Sequence, residues 1–88
     1  MSKYQKLLLK ILRGTSDAHI PFEGLRNVLL HLQFKERIKG DHHIFTREDI
    51  EEILNLQPKG SQAKPYQVRQ VRQALVKYQL GGSDDAEV

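Results

Sequence analysis

The run Gly40-Asp41-His42-His43 sets a glycine, a carboxylate and two imidazoles side by side. Glycine lets the chain turn sharply and leaves its backbone open to a phosphate. Histidine is the side chain whose ordinary pKa lies near neutrality, so it can both take and give a proton. Cleavage of RNA asks for little more. A base removes the 2′-OH proton, an acid protonates the leaving 5′ oxygen, and cations stabilise the charge that builds on phosphorus. No metal and no cofactor is needed for this. Adjacent strand residues point to opposite faces, so His42 and His43 cannot easily share one ion. His19 and His31 have no ligand pattern with them. Residue type and spacing leave a surface reading of the histidine pair open beside the catalytic one.

The cations that such chemistry needs are present. The net charge is +3, and between Glu52 and Asp84 there is no acidic residue. That stretch carries Lys59, Lys64, Arg69, Arg72 and Lys77. A one-signed basic stretch on a small domain favours a polyanionic partner, and a solvated basic surface without a partner is the alternative. Phosphate-loop, GxSxG, HExxH and paired CxxC signatures are absent. The chain has no cysteine, which rules out disulfides and thiolate metal sites. No apolar stretch approaches the length of a membrane span and no signal-peptide pattern opens the chain, so a cytoplasmic location without a membrane partner is expected.

These residues must be positioned by a single small domain, since 88 residues support one modest core. Tyr4, Leu7, Leu8, Ile11 and Leu12 fall on one helical face, giving a helix over 3–13 that Gly14 can end in the left-handed conformation. Pro21 suits the first turn of a second helix, with Phe22, Leu25, Leu29 and Leu32 on its inner face and an end near Gln33. The period then changes to two. Phe34, Glu36 and Ile38 alternate with Lys35, Arg37 and Lys39, which marks a strand with one basic, solvated face. Gly40-Asp41 turns the chain into a second strand over 42–47. Residues 50–56 are ambiguous, and the reading favours a third strand from about Ile53. Pro65 opens a last helix with Val68, Val71, Ala74, Leu75 and Tyr78 inward and Arg69 and Arg72 on its flank, stopped by Gly81-Gly82. The result is an α+β domain over 1–82 in the order α-α-β-β-β-α. A three-stranded antiparallel sheet carries helices on one face, and an acidic tail over 83–88 is read as disordered.

The chain from Phe22 to Leu80 resembles the HicA toxins, the RNA-cleaving halves of HicA–HicB toxin–antitoxin pairs. The family hallmark is a glycine, a small polar residue, a variable residue and a histidine at the start of the second strand. Here it reads Gly40-Asp41-His42-His43, followed by Ile44-Phe45. The preceding strand Phe34 to Lys39 matches in type. Val71-Arg72-Gln73-Ala74-Leu75 is similar to the family's Leu-Arg-x-x-Leu helix. The resemblance implies a fold like that of double-stranded-RNA-binding domains and a metal-independent endoribonuclease (an mRNA interferase) with His43 as the catalytic residue. It implies mRNA as substrate and a HicB-type antitoxin as partner. Lys35, Arg37, Lys39, Gly40, His42, Arg69 and Arg72 would then meet the RNA. The chain departs from the family in three places: Asp41 replaces serine, the third strand lacks a terminal histidine, and the first helix is added to the minimal core.

Strand alternation puts Asp41 on the face of His43, where a carboxylate would favour the protonated imidazole and orient its ring. Phe45 falls on that face too, which would draw the histidine toward the core. A non-catalytic RNA-binding or protein-interaction module on the same fold stands as the second reading. DNA binding is a weaker third, because no helix-turn-helix pattern is present.

Overall fold

A computed structural model describes residues 2–80. The elements are α1 (Lys3–Arg13), a 3-10 turn (Asp17–His19), α2 (Phe22–His31), β1 (Lys35–Lys39), β2 (His42–Arg47), β3 (Ile50–Leu56) and α3 (Pro65–Lys77). The expected α-α-β-β-β-α order and antiparallel β1-β2-β3 sheet are both found. The stop at Gly81-Gly82 and the tail over 83–88 lie outside the described residues.

Local chemistry accounts for the helix ends. Ser2 and Gln5 cap α1 reciprocally: the Ser2 hydroxyl accepts from the Gln5 N–H, and the Gln5 side chain accepts from the Ser2 N–H. Gly14 ends the helix at φ 75°. Pro21 lies just outside α2, as its cap, and Gln33 at φ 72° reverses the chain into β1. α2 therefore ends at His31, slightly before the expected Gln33. α3 ends ahead of the two glycines, because Gln79 adopts φ 56° and the Leu80 N–H bonds back to the Leu75 carbonyl.

β3 begins at Ile50 and not near Ile53. Local sequence favours helix at Glu51 and Glu52, but pairing and packing override it. Ile50 is buried opposite Arg47, and the Glu52 carboxylate is held by Lys77 at 2.8 Å and by the Tyr78 hydroxyl at 2.5 Å. Lys77 foremost, then Tyr78, draws the Glu52 pKa down to about 2. The register between β2 and β3 shifts between Phe45 and Arg47.

One core holds the domain. Phe34, Phe45, Leu54 and Leu56 supply the covered sheet face, and the helices lay Ile11, Leu25, Leu29, Val68, Val71 and Leu75 against it. α1 packs chiefly on α2 and α3, as its Leu8 and Ile11 face requires. Among the described residues no helix is long and apolar enough to cross a membrane.

Arg72 fixes the junction of α1 and α3. Its guanidinium donates to both carboxylate oxygens of Asp17, at 2.9 and 3.1 Å, and to the Ile11 carbonyl at 3.1 Å. The Arg72 guanidinium, foremost through its hydrogen bond, holds the Asp17 carboxyl below its usual range. The same guanidinium lies 3.1 Å from where a side-chain carbon on Gly14 would sit. A residue at 14 must therefore have positive φ and no bulk. Gly14→Ala is expected to lower unfolding free energy by about 1–2 kcal/mol in urea denaturation, the cost of a left-handed non-glycine residue. An unchanged midpoint would contradict the left-handed conformation at Gly14.

Candidate active site

The β1–β2 hairpin decides where each sequence-derived site residue points. Gly40 closes it at φ 62° with nothing near its missing side chain. Ile38 pairs with His43, Lys39 with His42 and Arg37 with Ile44. Residues opposite one another in an antiparallel pair share a face, and neighbours along a strand alternate. Glu36, His43 and Phe45 thus belong to the helix-covered face. Lys35, Arg37, Lys39 and His42 belong to the open one. The sequence-derived RNA-binding set is split, with His43 on one side of the sheet and the basic stripe on the other.

His43 sits at the margin of the core. Its side chain is 15% exposed, and its ring meets the Phe22 ring edge-on at a centroid separation of 4.9 Å. In register it lies between Ile38 and Leu56. The drift toward the core that Phe45 implied is present, but the ring is not sealed.

Its polar partner is Glu36. His43 Nδ1 lies 2.7 Å from Glu36 Oε2. Arg26 on α2 clamps the same carboxylate, donating from Nε to Oε2 and from Nη2 to Oε1, both at 2.7 Å. Arg26 also reaches Glu23 at 2.7 Å. The Arg26 hydrogen bond is the main force that lowers the Glu36 pKa. It outweighs the burial that would raise it, and His43 adds to the effect. Glu36 in turn raises the pKa of Arg26. Because an ionised carboxylate can only accept, Nδ1 must carry the hydrogen. That leaves Nε2 as the nitrogen free to exchange a proton. Among the described residues, Nε2 makes no hydrogen bond.

Asp41 is not the partner of His43. Its Oδ2 accepts from Gln57 Nε2 at 2.5 Å, and its Oδ1 lies 3.8 Å from Nε2 of His42. The Gln57 amide is the main cause of its lowered pKa. The turn at Gly40 takes Asp41 out of regular alternation, so the same-face expectation fails. Gln57 also accepts from Lys64 Nζ at 3.5 Å, which links a cation to the hairpin tip. His42 faces the open side, 48% exposed, with Nδ1 3.0 Å from Asn55 Oδ1.

Arg72 is not offered to a ligand at the hairpin. It is committed to Asp17 and Ile11, and its side chain is only 20% exposed. Arg69, exposed on α3, lies near enough to Asp17 to lower that group's pKa. Sequence reasoning missed Glu36, Arg26, Gln57 and Lys64. A signal for the first was present: a glutamate between Phe34 and Ile38 on the inward face must find a partner, and β2 offers a histidine diagonally across.

The clamp has a pH signature. A carboxylate whose folded pKa is depressed stabilises the fold fully above the ordinary glutamate value. That contribution is lost as pH falls through the lower folded value. The urea midpoint is expected to drop steeply below about pH 4. In Arg26→Gln it should start lower at pH 7 and fall less steeply. Parallel curves for the two proteins would mean that Arg26 does not hold Glu36. No family model matches the chain, and neither does any curated protein or solved structure.

Proposed function

We propose that this chain is a metal-independent endoribonuclease of the HicA toxin kind, acting on mRNA in the cytoplasm and restrained by a HicB-type antitoxin. The observation that carries the reading is the 2.7 Å contact between His43 Nδ1 and Glu36, which leaves Nε2 as the ring nitrogen without a partner. Supporting it are the Gly40-Asp41-His42-His43 hallmark at a hairpin and the α-α-β-β-β-α order around it.

In the reaction, Nε2 of neutral His43 takes the proton of a ribose 2′-OH. The 2′ oxygen bonds to the adjacent phosphorus and the bond from phosphorus to the 5′ oxygen breaks. The departing 5′ oxygen receives a proton from the imidazolium, leaving a 2′,3′-cyclic phosphate and a 5′-OH. Glu36 stabilises the imidazolium as it forms, and Arg26 keeps Glu36 ionised for that purpose. Lys64, linked through Gln57 to Asp41 at the hairpin tip, would supply a cation for the phosphate.

One finding favours the second reading, a non-catalytic RNA-binding module. The basic stripe of β1 lies on the face opposite His43. The assay that separates the two is incubation of purified protein with RNA in EDTA. Wild type is expected to cleave, and His43→Ala to lose about 10²–10⁴-fold in rate while keeping its thermal midpoint. Binding without cleavage by wild type would install the second reading. Equal cleavage by His43→Ala would remove His43 from the mechanism.

A further inference from the structure

We infer that the open face of the sheet is a second RNA-contacting surface, separate from the His43 site, on which Lys35, Arg37 and Lys39 track the phosphates of a single strand. The inference rests on the RNA reading above and adds a binding surface that catalysis does not require.

Four observations carry it. The three cations occupy alternate positions of one strand, so their side chains leave one face at intervals of about 6.6–6.8 Å. That repeat is comparable to the phosphate spacing of an extended single strand. All three residues are exposed. Among the described residues none of them makes an ion pair or a side-chain hydrogen bond, whereas Arg26, Arg47, Arg72 and Lys77 are all paired. No helix covers this face, because the helices build their core on the other one.

The rest of the face fits the same occupant. Ile44, Thr46 and Ile53, with Lys35, Glu36 and Arg37 beside them, line a depression of about 460 Å³. Ile53 is 61% exposed there. The floor is apolar but has no aromatic ring, so bases find contact without a stacking platform. Binding then depends on phosphate charge and is tolerant of sequence. By alternation Glu51 shares the face far from the hairpin tip, and the Asp41 carboxylate stands at the tip end, 3.8 Å from His42 Nε2. The stripe ends at Lys39, which pairs with His42 beside the turn. His42 and His43 point to opposite faces, so a strand that follows the stripe and rounds Gly40 arrives at the catalytic side.

The test uses His43→Ala protein, which cannot consume the probe, and a fluorescently labelled 20-nucleotide oligouridine. Anisotropy titrations at several salt concentrations give affinity and its salt slope. Adding Lys35→Gln, Arg37→Gln and Lys39→Gln together is expected to weaken binding roughly tenfold or more and to flatten the logarithmic salt slope by about 2, some 0.7 for each lost phosphate contact. A control with equal charge loss on α1, Lys3→Gln, Lys6→Gln and Arg13→Gln, should keep both values. These positions are exposed, and circular dichroism melts should superpose for all variants. Equal losses in stripe and control variants would overturn the inference in favour of diffuse charge. An unchanged stripe variant would overturn it and leave the face to an acidic polypeptide. Wild-type cleavage of the same RNA, run in parallel, separates the outcomes. Cleavage with an unaffected stripe variant sinks only the surface. Neither binding nor cleavage sinks the RNA reading along with it.

Discussion

A carboxylate placed on the covered face of a sheet is the constraint around which the histidine corner of the hairpin is arranged. Glu36 cannot leave water unpaired without a penalty of several kcal/mol. Arg26 and His43 supply the compensation, one from α2 and one from β2, at 2.7 Å each. The three side chains come from three different elements, so the network fixes α2 relative to the hairpin as well as orienting the imidazole. Phe22, at the start of α2, then packs its ring on His43 from the apolar side. Removing Arg26 leaves the Glu36 charge largely uncompensated, and the geometry of the histidine goes with it, whereas removing His43 leaves the Arg26 clamp in place.

The second consequence of strand alternation is a molecule with two unlike faces. Side chains two apart on β1 share a side, so Glu36 cannot accompany Lys35 and Arg37. The face that holds His43 lacks the basic stripe of β1. The face rich in cations carries His42, whose Nδ1 lies 3.0 Å from Asn55 Oδ1. Only at the hairpin tip do the two come within one residue of each other, as His42 and His43. The turn at Gly40 is therefore where the two faces meet.

Much of the architecture was legible because periodicity is a direct imprint of burial. The bounds of α1 and β2 and the outward direction of Lys35, Arg37 and Lys39 follow from patterns of 3.6 and 2. What stayed hidden is what pairing decides. Ile50 to Glu52 reads as helix or loop until β2 and α3 claim it. Asp41 reads as a neighbour of His43 until the turn hands it to Gln57. Arg72, expected to be free for a phosphate, is taken by Asp17, which is distant in sequence. Glu36 was readable in principle, since a charge amid Phe34 and Ile38 is a local inconsistency that asks for a partner. Its pairing with Arg26 depends on how α2 crosses the sheet, which no local pattern encodes.

The Arg72 contact with Ile11 and Asp17 also bears on how the domain assembles. It joins segments 61 and 55 residues apart in the sequence. The α2–β1–β2–β3 stretch closes through short connections at little entropic cost. The α1–α3 junction must instead gather both chain ends into one large loop. The hairpin and its histidine therefore belong to the part that can organise early. The N-terminal helix meets α2, nearby in sequence, as well as α3, so only its second contact depends on the far end of the chain.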